Sequence, residues 1–163
     1  MAARRALPAA STALLLMLTA APLGLPGQPE LQACVALSCV FFWSLFRPAS
    51  MPPPLVFLLG LLTDLLGFAP PGIGVLSLLL LHGIAVRWGR FLVRQGFVTV
   101  WLSFMFLSAA AAALQWALTS LLVFRLLPPA PGIFQAVLAA GLYPAIAVIL
   151  TWVHQTLAEP EAA

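Results

Sequence analysis

One acidic residue, Asp64, lies within a long apolar stretch and is the first candidate for chemistry. It follows Pro54 by ten residues, about 15 Å along a helix, which predicts a position near the midplane of a bilayer. Gly60 and Gly67 lie on the same side of that helix and allow another backbone to approach. A carboxyl group at this depth is either an ion or proton-relay site or a structural anchor bonded to Ser, Thr or backbone groups. We favour the structural anchor.

The other chemically active side chains are scattered. His82 and His154 lie at different predicted depths from Asp64, so the three do not form a metal site. Cys34 and Cys39 lie on different faces of one helix and are predicted to be small apolar packing residues. The sequence has no defensible Ser-His-Asp arrangement and no glycine-rich phosphate loop. We therefore expect no catalytic residues, no cofactor and no enzymatic activity.

The composition explains why such groups are rare. The chain has 163 residues, of which 63% are hydrophobic and 7% are charged, with a mean hydropathy of +1.11. A soluble domain is about a quarter charged, so these few charges cannot coat a water-exposed surface. This excludes a soluble enzyme, a nucleic-acid-binding domain and a disordered chain.

Six apolar stretches predict an all-α integral membrane protein with a single transmembrane domain over residues 1–163. The predicted spans are 7–25, 31–46, 55–68, 73–86, 97–124 and 133–153. The third and fourth stretches have about 14 residues each, roughly 21 Å of helix, which is short for the ~30 Å hydrocarbon core. They are expected to form a compact helical hairpin. In the sixth, Pro144 is expected to kink the helix, with Tyr143 placed to bond a freed carbonyl.

The arginines predict the orientation of these spans. Six of the seven fall on one side of the predicted topology: Arg4, Arg5, Arg47, Arg87, Arg90 and Arg94. Because cytoplasmic loops collect basic residues, both termini are predicted to be cytoplasmic. Four tryptophans lie near the same side and are predicted to be interfacial: Trp43, Trp88, Trp101 and Trp152.

Arg87, Arg90 and Arg94 share one face of a predicted helical extension beyond the fourth span. This pattern has two interpretations. The face contacts anionic lipid head groups, or it is a cytoplasmic docking surface for a partner protein.

The segment 57–72, FLLGLLTDLLGFAPPG, resembles the hallmark motif of the rod shape-determining protein MreD family. Gly60, Asp64 and Gly72 match that motif in type and spacing. Gly67 follows the aspartate by three residues rather than the usual four, and Pro71 replaces the usual apolar residue before Gly72. The chain length and the short tails are also similar to that family.

The resemblance implies a non-enzymatic component of the bacterial cell-elongation complex in the inner membrane. Its implied partners are an MreC-like protein, an MreB-like actin filament, a RodA-type glycosyltransferase and a class-B penicillin-binding protein, with no nucleic acid. The implied fold is similar to the six-helix substrate-binding subunits of energy-coupling vitamin transporters.

An alternative interpretation is a substrate-binding subunit of a small-molecule transporter. The depth of Asp64 and the short third and fourth spans motivate it. Such subunits tend to carry an alanine stripe in the first helix, of which Ala9 and Ala13 are a weak version.

Overall fold

The computed structural model describes residues 2–21, 24, 26–67 and 70–156, with side chains from Leu7 onward. This part of the chain is helical and contains no strand. Its six α-helices are α1 (Ala2–Ala20), α2 (Gln28–Phe46), α3 (Pro53–Leu66), α4 (Ile73–Arg94), α5 (Phe97–Leu122) and α6 (Ala130–Thr156). A single 3₁₀ turn, Pro48–Ser50, lies between α2 and α3.

Four of these helices, α2, α4, α5 and α6, are long and apolar enough to cross a membrane among the residues described. Two shorter apolar helices, Leu7–Ala20 and Pro53–Leu66, accompany them. Their length and composition indicate a multi-pass α-helical membrane protein.

The helix α2 is the centre of the bundle and contacts each of the other five helices. Its buried residues cover all sides of the helix, from Gln32 to Leu45. Apolar residues occur on every side of α2, so its sequence has no single apolar face. The remaining helices pack around α2, with α6 and α4 making its most extensive contacts.

Neighbouring helices along the chain alternate in direction. In the antiparallel pair α5 and α6, the Phe104 and Tyr143 rings stack at 4.3 Å. The helices α2 and α6 run parallel, since Cys34 contacts Gln135 near their starts and Phe41 packs on Tyr143 further along both. The starts of α2, α4 and α6 therefore lie at one end of the bundle with the ends of α3 and α5. This end is called the turn end below, and the opposite end is called the arginine end.

Some helices extend beyond the predicted apolar spans. The first span, predicted to start at residue 7, belongs to a helix that starts at Ala2 and includes the positions of Arg4 and Arg5. It ends at Ala20, and the predicted end at residue 25 lies outside the described residues. The third span is confirmed as short, with 14 residues in α3. The helical extension predicted beyond the fourth stretch, 73–86, is present, because α4 has 22 residues and continues to Arg94.

The extension of α4 continues to pack against α2. Gly89 lies beside Leu45 of α2, where a Cβ atom would make an ordinary contact at 3.7 Å from the Leu45 Cα. Arg87, Arg90 and Arg94 are then carried on the outer side, where all three are exposed.

The freed carbonyl near Pro144 has a different partner from the one predicted. Proline lacks an N–H, so the carbonyl of Ala140 one turn earlier loses its helical donor. The Trp101 indole Nε1 donates a hydrogen bond to that oxygen at 3.0 Å. Tyr143 instead packs its ring in the core against Phe41 and Phe104.

The interfacial assignment of Trp43 is wrong, because its side chain is 2% exposed and lies in the core of the bundle. Trp101 is half-buried against α6 near the arginine end, and its interfacial assignment stays a prediction. Trp88 and Trp152 are exposed, as an interfacial position requires. Sequence position along a span does not reveal which side of the helix faces protein, because lipid and protein interior are similarly apolar.

We expect Phe104→Ala to lower the free energy of unfolding by about 3 kcal/mol, because it removes a fully buried ring between α2 and α6. Phe106→Ala on the same helix is the matched control, since Phe106 is 76% exposed. The measurement is unfolding in mixed micelles by detergent titration. Equal losses in the two variants would contradict the packing described for α5.

Candidate functional site

Asp64 ties the end of α3 to the beginning of α4. Its carboxylate Oδ2 accepts a hydrogen bond from the backbone N–H of Gly72 at 2.7 Å and from that of Val75 at 3.3 Å. Its Oδ1 accepts a third bond from the N–H of Gly74 at 2.9 Å. One side chain therefore accepts hydrogen bonds from three backbone donors at the N-cap and in the first turn of α4.

These donors need a partner because the first N–H groups of a helix have no acceptor within the helix. A side chain at the N-cap position normally supplies one, but here that position is Gly72, at φ 100°. The carboxylate of Asp64 takes over this role from eight residues earlier. Its negative charge also lies at the positive end of the α4 dipole.

Two glycines make the close approach possible. Gly60 faces the backbone of Val75, and a Cβ atom there would lie 2.6 Å from the Val75 Cα. Gly74 faces the Asp64 carboxylate so closely that a Cβ would collide with Oδ1. The hairpin of α3 and α4 thus depends on missing side chains as much as on the carboxylate.

The predicted motif residues come together in part. Gly60, Asp64 and Gly72 all belong to the hairpin, and Gly67 ends α3 with its N–H bonded to the Thr63 carbonyl. The hydrogen bonds of Asp64 correspond to the structural anchor rather than to a free ion site. Asp64 lies in the last turn of α3, two residues before its end at Leu66.

Gly74 was missed by the sequence reasoning, although it donates to Asp64. The signal was the pair Gly72 and Gly74 at the start of an apolar helix, eight and ten residues after Asp64. Alternate glycines at a helix start free backbone N–H groups for an anion. The anion here is supplied by the protein itself.

The two histidines lie apart from Asp64. His82 Nδ1 and Ser44 Oγ share a hydrogen bond of 2.7 Å between α4 and α2. His154 packs edge-on against Trp43 at the arginine end.

Both cysteines are free and buried, as predicted. In the described part of the chain, no group of three or more His, Cys, Asp or Glu could hold a metal ion.

A cavity of about 370 Å³ opens at the turn end, beside the hairpin. Its walls come from the starts of α2, α4 and α6 and the ends of α3 and α5. Asp64 and Gly74 form part of the wall. Three glutamines also line it, namely Gln32, Gln115 and Gln135. These glutamines could not be predicted from their spacing, because they come from three different helices.

Arg87, Arg90 and Arg94 lie away from this cavity, at the arginine end, and the structure does not bring them to the hairpin. They share one end of the bundle with Arg47, while Arg125 follows α5 at the turn end. The separation of the arginines predicted from the sequence is therefore present in the fold.

In comparisons with protein-family models, curated proteins and solved structures, none matches this chain. The resemblance carried by Gly60, Asp64 and Gly72 accordingly stays a prediction. The features that the structure gives for this chain are the hairpin of α3 and α4, the cavity at the turn end and the arginine end.

We expect Gly74→Ala to lower the free energy of unfolding by about 2 kcal/mol, because the new methyl group displaces the Asp64 carboxylate. Gly83→Ala, also in α4, is the matched control, because a Cβ there meets no atom within 4 Å. It should be neutral or raise stability by up to about 1 kcal/mol. Equal effects of the two substitutions on detergent-induced unfolding would contradict the close approach.

Proposed function

We propose that this protein is a non-enzymatic scaffold of the bacterial cell-elongation complex, of the MreD type. It lies in the inner membrane, crosses it six times and has both termini in the cytoplasm. It contacts an MreC-like protein and an MreB-like filament, and with them the RodA-type glycosyltransferase and its class-B penicillin-binding partner.

The observation that carries the proposal is the locked hairpin. The residues of the MreD-like motif, Gly60, Asp64 and Gly72, occupy a tight joint between α3 and α4. In this joint Asp64 is only 9% exposed, and both of its carboxylate oxygens accept backbone N–H bonds. A carboxylate used in this way is suited to hold a shape and poorly suited to relay protons. That supports a scaffold over a pump or an enzyme.

The distribution of charge supports the orientation. Arg47, Arg87, Arg90 and Arg94 lie at the arginine end, which the excess of basic residues assigns to the cytoplasm. The last three are exposed on α4. They offer a basic surface to a cytoplasmic partner, and the filament is the proposed partner on that side.

The second candidate function is a substrate-binding subunit of a small-molecule transporter. One observation favours it: the cavity of about 370 Å³ at the turn end, which is within the size range of small-molecule sites. If the protein is a transport subunit, cellular uptake of some solute must depend on its presence. Loss of uptake with normal cell shape after gene deletion would favour this second function.

Deletion of the gene should convert rod-shaped cells into spheres, and the wild-type gene should restore rods. Asp64→Asn should restore rods in part, because the amide keeps one acceptor oxygen. Asp64→Lys should fail, because it removes every acceptor and places a cation at the positive end of α4. The readout is the ratio of cell length to width, with membrane levels of each variant measured by immunoblot.

Normal rods after deletion would overturn the proposal. Equal loss of shape in the two Asp64 variants at normal membrane levels would contradict the anchoring role of Asp64 and favour a role of its charge.

The combined substitution of Arg87, Arg90 and Arg94 by Gln should cause loss of rod shape at normal membrane levels, if these residues dock a partner. Arg125→Gln at the opposite end is the control and should leave the shape unchanged. Co-purification of the MreB-like protein should fall about tenfold or more for the triple variant. Unchanged co-purification would indicate that the surface contacts lipid head groups instead.

A further inference from the structure

The cavity at the turn end is lined by two buried glutamines whose amide donors have no partner among the described residues. Gln32 is 5% exposed and Gln135 is 6% exposed. Neither Nε2 atom has a hydrogen-bond partner among the described residues. A buried amide donor without an acceptor is unfavourable, and native proteins usually satisfy such groups.

The two amides belong to the same site. Gln32 lies in the second turn of α2 and Gln135 in the second turn of α6, and both line the cavity. The local packing fixes their helices, since the Cys34 thiol contacts the Gln135 carbonyl oxygen at 3.2 Å. Two glutamines on neighbouring parallel helices thus line one cavity.

The same residue type is satisfied elsewhere in the bundle. Gln28 donates from its Nε2 to the carbonyl oxygens of Thr19 and Ala21, at 3.0 and 2.6 Å. The chain therefore supplies acceptors for a glutamine that only joins α1 to α2. The two glutamines of the cavity differ in this respect, which points to an acceptor from outside the protein.

We propose that this cavity binds a small uncharged molecule with carbonyl or hydroxyl acceptors, held by the amides of Gln32 and Gln135. The charged side chains of its described wall are both acidic, Glu30 and Asp64. They disfavour an anion. An ammonium-type cation carries hydrogen-bond donors instead of acceptors, so the two Nε2 donors would still lack acceptors.

The remaining wall suits a molecule with a flat apolar body. Trp116 provides an aromatic side, and its indole is fixed because Nε1 donates to the Leu127 carbonyl oxygen at 2.9 Å. Leu37 and Leu78 line the cavity from α2 and α4. Most small-molecule sites combine such apolar walls with a few polar groups that fix orientation. Proline residues Pro29, Pro128 and Pro131 form an exposed rim.

This binding site does not depend on the scaffold proposal. A scaffold would use the ligand to alter its contacts, whereas a transport subunit would carry it. The test below uses purified protein, so its failure is separate from a failure of the cell-shape experiments.

The experiment measures binding of matched ring fragments to the full chain in lipid nanodiscs by ligand-observed NMR. Each fragment is used as an uncharged carboxamide or lactam, as the carboxylate and as the amine. We expect the uncharged members to bind, and both charged forms to bind about tenfold more weakly or worse. Absence of binding in all three classes, or preference for a charged class, would overturn the proposal.

The variants are Gln32→Leu and Gln135→Leu, with Gln28→Leu as the control. The first two should weaken binding of the uncharged fragments about tenfold or more. They should leave the thermal stability of the ligand-free protein equal or higher, because they remove unpaired buried donors. Gln28→Leu should lower stability and leave binding unchanged. Unchanged binding in the cavity variants, or a loss of stability like that of the control, would show that the amides serve the fold only.

Discussion

Three backbone N–H groups at the start of α4 need acceptors, and the carboxylate of Asp64 supplies them. In an apolar environment such groups have no water to bond, so an unsatisfied helix start is costly. The hairpin supplies the acceptors from within the chain. Asp64 is in the last turn of the 14-residue α3, which places its carboxylate beside the start of α4. The position of α4 then fixes the Ser44–His82 bond, the exposed arginines and one wall of the cavity.

Polar groups elsewhere in the bundle follow the same rule. The buried hydroxyls of Thr12, Ser38 and Ser77 each donate to a backbone carbonyl four residues earlier. The Trp101 indole N–H donates to the Ala140 carbonyl oxygen, which Pro144 leaves without a helical donor. Three buried donors of the described residues are exceptions: the amides of Gln32 and Gln135, which line one cavity, and the indole N–H of Trp43, near the arginine end.

Much of the architecture could be predicted from the sequence, and the rest failed for physical reasons. Apolar stretches bounded by Pro, Gly and Arg located the helices, and Gly60 and Asp64 marked the hairpin. The central position of α2 could not be predicted, because an apolar helix has the same kind of sequence whether lipid or protein surrounds it. For the same reason Trp43 was assigned to the interface. The cavity glutamines were missed because a site formed by several helices has no spacing along the chain.

The central claim is that Asp64 caps α4, and amide hydrogen exchange tests it most directly. The measurement compares the backbone amides of Gly72, Gly74 and Val75 in the wild-type protein and in Asp64→Asn, followed by NMR in nanodiscs. We predict exchange about tenfold faster or more at these amides in the variant, with the amide of Leu81, in the middle of α4, unchanged. Equal exchange in the two proteins at Gly72, Gly74 and Val75 would contradict the account.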